Sequence, residues 1–144
     1  MIENDTVKLL RECDSGIKMG VSSIEEVFGS VQSKELKKIL SDCGKKHMEL
    51  GREIREALDR FGDEGKDPGA VAKAMSWFKT EIKLAVEETD DTVADLMTDG
   101  CNMGVKSLSR YLNQYAAASE DAKDIAKRLI SLESKLSEDL RAFL

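Results

Sequence analysis

Hydrophobic residues recur along most of the chain at alternating intervals of about three and four positions, which is the period of a helix with one buried face. This pattern predicts four long helices, at about 4–28, 34–61, 91–116 and 120–144. The positions predicted to face the core, helix by helix, are Val7, Leu10, Ile17, Val21, Ile24 and Phe28; Leu36, Leu40, Cys43, His47, Leu50, Ile54, Ala57 and Phe61; Ala94, Met97, Cys101, Val105, Leu108, Leu112 and Tyr115; and Ile125, Leu129, Leu132, Leu136, Leu140 and Phe143.

Capping residues mark the ends of these helices. Ser33 and Ser119 precede the second and fourth helices, where a serine hydroxyl can accept a hydrogen bond from the free amides of the first turn. Thr89 stands before two aspartates that suit the beginning of the third helix. Gly62 is predicted to end the second helix, because glycine readily adopts the left-handed conformation that follows many helices.

The segment between the second and third helices is too long for a simple turn. Residues 62–69 concentrate turn formers and include the only proline, Pro68. A shorter helix is predicted over 69–86, docked on the bundle through Phe78 and Ile82. A helix of about 18 residues spans about 27 Å, so this connector can return along the bundle as a crossover. An up-down bundle would need only a few residues there.

Composition and charge narrow the class of protein. The 144 residues are predicted to form a single domain, 1–144, and 41% hydrophobic and 35% charged residues with one proline are typical of an all-α fold. The net charge of −6 opposes binding to nucleic acid or to an anionic membrane surface. The sequence shows neither a signal segment nor eighteen consecutive apolar residues, and its three cysteines fit a reducing compartment. We therefore expect a cytoplasmic protein.

A short pattern occurs twice, 84 residues apart: Gly16, Met19, Gly20, Val21 and Ser23 recur as Gly100, Met103, Gly104, Val105 and Ser107. Glycine inside a helix costs about 1 kcal/mol relative to alanine, so four such residues need a compensating interaction. We predict that the first and third helices pack backbone to backbone along these glycines, at a pseudo-twofold axis. The alternative is a remnant of duplication without a present role.

Three stretches carry a resemblance to a known family. They are Glu12-Cys13-Asp14-Ser15-Gly16, the run from Pro68-Gly69-Ala70-Val71-Ala72 to Trp77, and the run from Asp99-Gly100-Cys101 to Tyr111. In this order, around this connector, they resemble an uncharacterised bacterial family of ferritin-like four-helix bundles. The resemblance spans nearly the whole chain and implies an all-α, ferritin-like bundle of two helical hairpins, joined by a crossover with a short fifth helix. It implies no established activity.

The ligand pattern of ferritin-like metal proteins is mostly missing from this sequence. Those proteins bind two metals with a Glu on each of two helices and Glu-x-x-His on each of the other two. Here the corresponding stretches read Gly44-Lys-Lys-His47 and Ile130-Ser-Leu-Glu133, so one keeps only the histidine. Two cations need more carboxylates than this for neutralisation and bridging. We therefore expect no intact di-metal site.

A smaller metal site is the remaining candidate. Asp14, His47 and Glu133 are predicted to reach similar heights in the bundle, with Cys43 one turn before His47 on the same face and Thr98 and Asp99 nearby. These donors could hold a single Zn²⁺ or a similar divalent cation. The simpler interpretation is that His47 makes one buried hydrogen bond to Asp14 and that the cysteines fill space. We favour the simpler interpretation and predict no cofactor.

Catalysis has little support in the sequence. A cysteine nucleophile would have to use His47, the only histidine, and no phosphate loop, nucleophile motif or oxyanion arrangement accompanies it. No residue is predicted to be catalytic. We expect a structural or interaction protein, and the alternative is a metal-binding protein with a degenerate mononuclear site. Trp77, Met19, Met103 and Tyr111 lie off or beside the core stripes and could mark the interface of a homo-oligomer.

Overall fold

Four long helices make up most of the structure. The computed structural model describes residues 2–65, 72–73, 75–76, 78–79 and 89–144, apart from the side chains of residues 2 and 3. The helices are α1 (Ile2–Phe28), α2 (Lys34–Arg60), α3 (Asp90–Gln114) and α4 (Glu120–Leu140), followed by a 3₁₀ turn at Arg141–Phe143. Within these ranges no helix is both long enough and apolar enough to cross a membrane.

The predicted serine caps begin α2 and α4. The hydroxyl oxygen of Ser33 accepts a hydrogen bond from the Leu36 amide at 3.2 Å, and that of Ser119 accepts one from the Ala122 amide at 3.2 Å. Each serine has extended backbone angles, as an N-cap residue requires. Thr89 also occupies the N-cap position of α3, but its hydroxyl makes no capping bond to the backbone of that helix.

Gly62 ends α2 as predicted. Its φ of +67° allows its own amide to reach the carbonyl of Asp59, and the next amide, of Asp63, to reach the carbonyl of Leu58, both at 3.0 Å. This pair of bonds is the Schellman motif, which satisfies carbonyls that the helix leaves open at its end.

The helices form two hairpins that pack against each other as a square bundle. α1 contacts α2 and α3 contacts α4 most extensively, and the hairpins meet through α2 with α4, α1 with α3 and α1 with α4. Among the described helices, α2 and α3 lie at opposite corners without a substantial contact. This is the arrangement of a bundle with a crossover connection, whereas in an up-down bundle α2 and α3 would be neighbours.

The described part of the connector is docked on the bundle. Residues 72–73, 75–76 and 78–79 are helical, and the side chains of Met75 and Phe78 are buried. The hydroxyl of Ser23 on α1 lies 3.7 Å from the sulfur of Met75, within hydrogen-bonding distance for sulfur. The burial predicted for Phe78 is confirmed. Ile82 and the rest of the predicted 69–86 helix lie outside the described residues.

Most of the predicted core positions are buried, but two aromatic residues are not. Phe28 is 38% exposed and Phe61 is 40% exposed. Phe28 is the last residue of α1, and Phe61 follows the last turn of α2. Helical periodicity assigned both to the inward face, but each stands at the end of its helix, where the described residues leave its side chain more than a third exposed. The prediction that they are core residues was wrong.

The predicted backbone contact along the repeated glycines does not form. A Cβ atom built on Gly16 would meet the side chain of Leu129, and one built on Gly20 would meet His47. A Cβ on Gly104 would meet Glu133, and one on Gly100 would have no residue of the described ranges within 4 Å. The glycines therefore face side chains of α2 and α4, or open space. That prediction was wrong because it considered only α1 and α3, whereas all four helices meet at this level.

Candidate functional site

A polar layer divides the interior of the bundle into two hydrophobic clusters. The layer consists of Gly20, His47, Gly104 and Glu133, one from each helix. On its own helix, each of these residues lies between a residue of one hydrophobic cluster and a residue of the other. The flanking pairs are Ile17 and Ile24 on α1, Leu50 and Cys43 on α2, Leu108 and Cys101 on α3, and Leu129 and Leu136 on α4. The middle of the bundle is therefore polar, between two apolar halves.

His47 and Glu133 bond to each other across this layer. The Nε2 atom of His47 lies 3.0 Å from Oε1 of Glu133, and the two side chains are only 1% and 11% exposed. The Nδ1 atom of His47 lies 2.9 Å from the carbonyl oxygen of Cys43, one turn earlier on α2. Both ring nitrogens thus have partners, as a buried imidazole requires.

The partners of the ring fix its protonation. A carbonyl oxygen only accepts hydrogen bonds, so Nδ1 of His47 carries a proton and donates to Cys43. Burial acts to lower the pKa of His47, but hydrogen bonds with the Cys43 side chain and with the Glu133 carboxylate outweigh it and raise this pKa to about 10. Near neutral pH the pair is therefore an imidazolium donating to a carboxylate.

The pair occupies equivalent positions in the two hairpins. His47 and Glu133 are 86 residues apart, the same separation as the capping serines Ser33 and Ser119. Each also has one of the repeated glycines beside it: the built Cβ of Gly20 lies 2.8 Å from Cδ2 of His47, and that of Gly104 lies 3.6 Å from Cδ of Glu133. An acid on one hairpin thus lies opposite a base on the other.

Buried thiols flank the pair. The sulfur of Cys43 lies 3.4 Å from Nδ1 of His47. Burial and the negative charge of Glu133 raise the pKa of Cys101, so this thiol stays protonated. Burial likewise raises the pKa of Cys13 to about 12. The structure therefore gives neither Cys13 nor Cys101 the thiolate character that a nucleophile needs.

Asp14 does not reach the polar layer. Its carboxylate is buried beneath the loop that follows α2, where it pairs with Lys18 at 2.8 Å and lies close to the backbone of Gly65. The predicted hydrogen bond from His47 to Asp14 is therefore wrong, and Glu133 takes that place. The predicted height of Asp14 was wrong, because it is Gly20, further along α1, that lies at the level of His47.

The donor set of the layer is small. Of the four predicted metal ligands, Cys43, His47 and Glu133 lie together and Asp14 lies elsewhere. Over the described ranges, no group of three or more His, Cys, Asp or Glu side chains is arranged to hold a metal ion. The residues of the layer do not fit a di-metal centre, because the helices α1 and α3 contribute glycines to it.

A cavity of about 280 Å³ lies between α1 and α3, with His47, Glu133 and Cys101 among the residues that line it. Residues of the repeated pattern form both walls: Gly16, Met19, Gly20 and Ser23 on α1, and Gly100, Met103, Gly104 and Ser107 on α3. Sequence reasoning missed this cavity, although the repeat was its signal. The missing side chains were interpreted as room for a helix, and they leave space instead.

The fold is similar to that of two solved structures. A crystal structure of a DUF305 fragment from Deinococcus radiodurans matches with a TM-score of 0.70 and 14% sequence identity, covering 96% of this chain and 93% of that chain. The X-ray structure of Dps from Thermosynechococcus elongatus matches with a TM-score of 0.71 and 11% identity, covering 99% of this chain and 91% of that one. At these identities the likeness concerns the fold alone.

These matches confirm the predicted all-α, ferritin-like four-helix bundle. No protein-family model matches the sequence, and no curated protein is similar to it. The assignment to one particular bacterial family stays a prediction.

Proposed function

We propose that this protein is a ferritin-like bundle in which an internal ion pair replaces the di-metal centre, and that it acts as a structural or interaction protein. The observation that carries the proposal is the layer of Gly20, His47, Gly104 and Glu133. Di-metal proteins of this fold use a Glu from each of two helices at this kind of position. Glycine offers no donor atom there.

The remaining donors already satisfy each other. The proton on Nε2 of His47 is donated to Glu133, and the proton on Nδ1 is donated to the carbonyl of Cys43. Gly44 and Ile130 stand three residues before this pair, where the Glu-x-x-His pattern would carry a glutamate. An imidazolium and one carboxylate cancel in charge, so this interior needs no cation to be electrically balanced.

The alternative is a mononuclear metal-binding protein, and one distance favours it. Two ligands that each lie about 2.0 to 2.1 Å from a tetrahedral Zn²⁺ are themselves about 3.3 Å apart, close to the 3.0 Å between Nε2 of His47 and Oε1 of Glu133. In this case the proton that the two groups share would be released to solvent and a divalent cation would take its place, with the thiols of Cys43 and Cys101, which lie beside His47 and Glu133, as candidate further donors. Asp14, bonded to Lys18, would have to move to join them.

Metal content and chelation separate the two proposals. We expect untagged, purified protein to contain metal at well below one ion per chain. We also expect a strong chelator to leave the melting temperature of the wild type and of His47→Ala unchanged. Because metal binding to the folded state adds to its stability, the metal alternative requires near-stoichiometric metal. It also requires a chelator-dependent drop in the wild type that His47→Ala lacks, and that result would overturn the first proposal.

Self-association is the simplest form of the interaction role. The described surface carries large apolar side chains that are well exposed, including Met48 at 59% and Leu144 at 61%. We expect sedimentation velocity to detect a homo-oligomer at micromolar concentration. If the protein stays monomeric at all accessible concentrations, self-association is wrong and the interaction role would require a different protein as the partner.

A further inference from the structure

One buried hydroxyl on the wall of the cavity between α1 and α3 has no partner in the described part of the chain. Ser15 is 6% exposed and lines the cavity, but its hydroxyl makes no hydrogen bond with the described residues. On the same wall, by contrast, the hydroxyl of Ser23 donates to the sulfur of Met75. Buried hydroxyl groups are normally hydrogen-bonded, because leaving one without a partner is costly. A ligand in the cavity would supply the partner that Ser15 lacks.

The volume beside Ser15 depends on glycine. Gly100 and Gly104 are one turn apart on α3, and both line the cavity. A Cβ built on Gly100 would have no residue of the described ranges within 4 Å, so a close contact with them does not explain this glycine. Glycine in a helix is costly relative to alanine. What the chain obtains in return at Gly100 is the open volume of the cavity.

Most of the cavity wall is apolar and polarisable. It includes four methionines and two aromatic rings: Met19, Met75, Met97, Met103, Phe78 and Tyr111. Methionine sulfur makes favourable contacts with aromatic rings, and the flexible side chain adapts to the shape of what it contacts. A wall of this kind suits a flat aromatic molecule better than a sugar or a peptide.

The size of the cavity limits the ligand to about two fused rings. An engineered apolar cavity of about 150 Å³ accommodates benzene, and the volume here is about 280 Å³. Molecules with the dimensions of naphthalene or indole therefore fit, whereas a nucleotide or a haem does not.

The described lining favours neither a cation nor an anion. His47 and Glu133 line the cavity as a pair whose charges cancel, and Glu12, on the same wall as Ser15, has an interaction partner of its own. The described lining includes no lysine, arginine or aspartate. A charged ligand would therefore lose its hydration without meeting a spare counter-charge, which is costly. The cavity suits an uncharged molecule.

We propose that this cavity binds a small, uncharged aromatic molecule of about two fused rings, with a hydrogen-bonding group that pairs with the hydroxyl of Ser15. This inference goes beyond the structural role proposed above and does not depend on it. The metal experiment tests the pair of His47 and Glu133, and ligand binding tests the space beside that pair, so each can fail without the other.

The experiment uses probes that share one ring system and differ in charge and hydrogen bonding: 2-naphthol, naphthalene, 2-naphthoate and 2-naphthylmethylamine. The protein carries ¹³C-methyl methionine, so the cavity wall reports directly in NMR spectra. We expect 2-naphthol to shift the signals of Met19 and Met97 in a saturable way and to leave Met48, which is exposed and outside the lining, unaffected. We expect both charged probes to bind at least about tenfold more weakly than 2-naphthol.

Ser15→Ala tests the hydrogen bond. We expect this variant to bind 2-naphthol about three- to tenfold more weakly, while naphthalene, which has no hydrogen-bonding group, binds as tightly as to the wild type. Because the Ser15 hydroxyl makes no bond to the described residues, alanine should not lower the melting temperature. The two probes thus separate a role in ligand binding from a role in folding.

Two leucine variants of α3 provide the matched comparison for the volume. Gly100→Leu fills the cavity from its wall, whereas Asn102→Leu places the same side chain at an exposed position outside the lining. We expect Gly100→Leu to lose binding of both neutral probes at least about tenfold, and Asn102→Leu to bind them as the wild type does. If Gly100→Leu does not fold, Ser107→Leu fills the same wall from two turns further along α3, with naphthalene as the probe.

Four results would overturn the proposal. The first is the absence of methionine shifts with both neutral probes up to their solubility limits. The second is undiminished binding to a folded cavity-filling variant, which would place the probe elsewhere. The third is a charged probe that binds as tightly as 2-naphthol. The fourth is a Ser15→Ala variant that binds 2-naphthol as tightly as the wild type does, because the ligand would then not pair with this hydroxyl.

Discussion

Gly20 lies directly against the imidazole of His47, with no room between them for a side chain. A Cβ built on Gly20 would lie 2.8 Å from Cδ2 and 2.9 Å from Nε2 of the ring, closer than such atoms approach in proteins. The ring has little freedom to move away, because Cys43 and Glu133 hold its two nitrogens. The glycine of α1 and the ion pair between α2 and α4 therefore depend on each other.

Alanine substitutions at three of the repeated glycines test this dependence. Gly20→Ala should lower the free energy of unfolding by about 1 to 3 kcal/mol, because the new methyl group overpacks the His47 ring. Gly100→Ala should raise it by about 0.5 to 1 kcal/mol, because the methyl group would contact none of the described residues and alanine is the better helix former. Gly104→Ala, at an ordinary 3.6 Å from Glu133, serves as the control and should be neutral or stabilising.

Urea denaturation of the four proteins gives these differences. If Gly20→Ala were as stable as Gly100→Ala, the ring of His47 could not be held against α1 as described.

The ion pair should be costly to break and nearly neutral to replace. Glu133→Leu alone should destabilise the protein by about 3 to 5 kcal/mol, because it leaves the buried His47 ring without a partner for Nε2. The double variant His47→Leu, Glu133→Leu should recover most of that loss, since apolar residues of suitable size can replace a buried ion pair. A double-mutant cycle on the free energies of unfolding measures the coupling. Strictly additive losses would argue against a direct bond.

The protonation of His47 makes stability depend on pH. Its pKa of about 10 in the folded protein exceeds the ordinary value of 6.5, so the folded state holds a proton that the unfolded state releases between these values. The stabilising contribution is complete below about pH 6.5 and is lost as pH rises through about 10. Urea denaturation at about pH 6 and about pH 9 should show this loss in the wild type, and the double leucine variant should lack it.

The same pKa has a direct spectroscopic readout. Because His47 is the only histidine, ¹⁵N-histidine labelling gives signals from one ring alone. We expect both ring nitrogens to remain protonated at about pH 8, where a histidine of ordinary pKa is neutral. A spectrum of a neutral ring at that pH would show that the interior contains no imidazolium, and the ion pair described here would be wrong.

The described connector should contribute to stability through Phe78. This side chain is 4% exposed, and Phe78→Ala should cost about 3 to 5 kcal/mol as a buried aromatic truncation. Phe61→Ala is a matched control, because Phe61 is 40% exposed at the end of α2, and its effect should stay within about 0.5 kcal/mol. Equal effects of the two substitutions on chemical denaturation would mean that the connector adds little to the core.

The sequence determined the helices and their ends, because these depend on interactions within a few residues. The apolar period located α1 to α4, and the hydroxyls of Ser33 and Ser119 and the left-handed Gly62 ended or began helices as predicted. The length of the connector also separated a crossover from an up-down bundle, since chain length limits which corners it can join.

The site was predicted in part. His47 and Glu133 were both identified as inward-facing polar residues, and one carboxylate on a different helix was expected to partner the histidine. Asp14 was named as that partner, but it lies beneath the loop at Gly65, and Glu133 takes its place. The height of a residue along its own helix follows from the sequence only to within a turn or two, which is larger than the reach of a side chain.

Only the tertiary structure decided what the repeated glycines do. A glycine in the sequence shows only that a side chain is missing. The missing side chain can allow a close contact between helices, make room for a ring or leave an empty space. Gly20 makes room for His47, Gly104 faces Glu133, and Gly100 borders the cavity. These outcomes depend on the relative register of four helices that are distant in sequence. That register is set by side-chain packing across the whole bundle, which no local pattern contains.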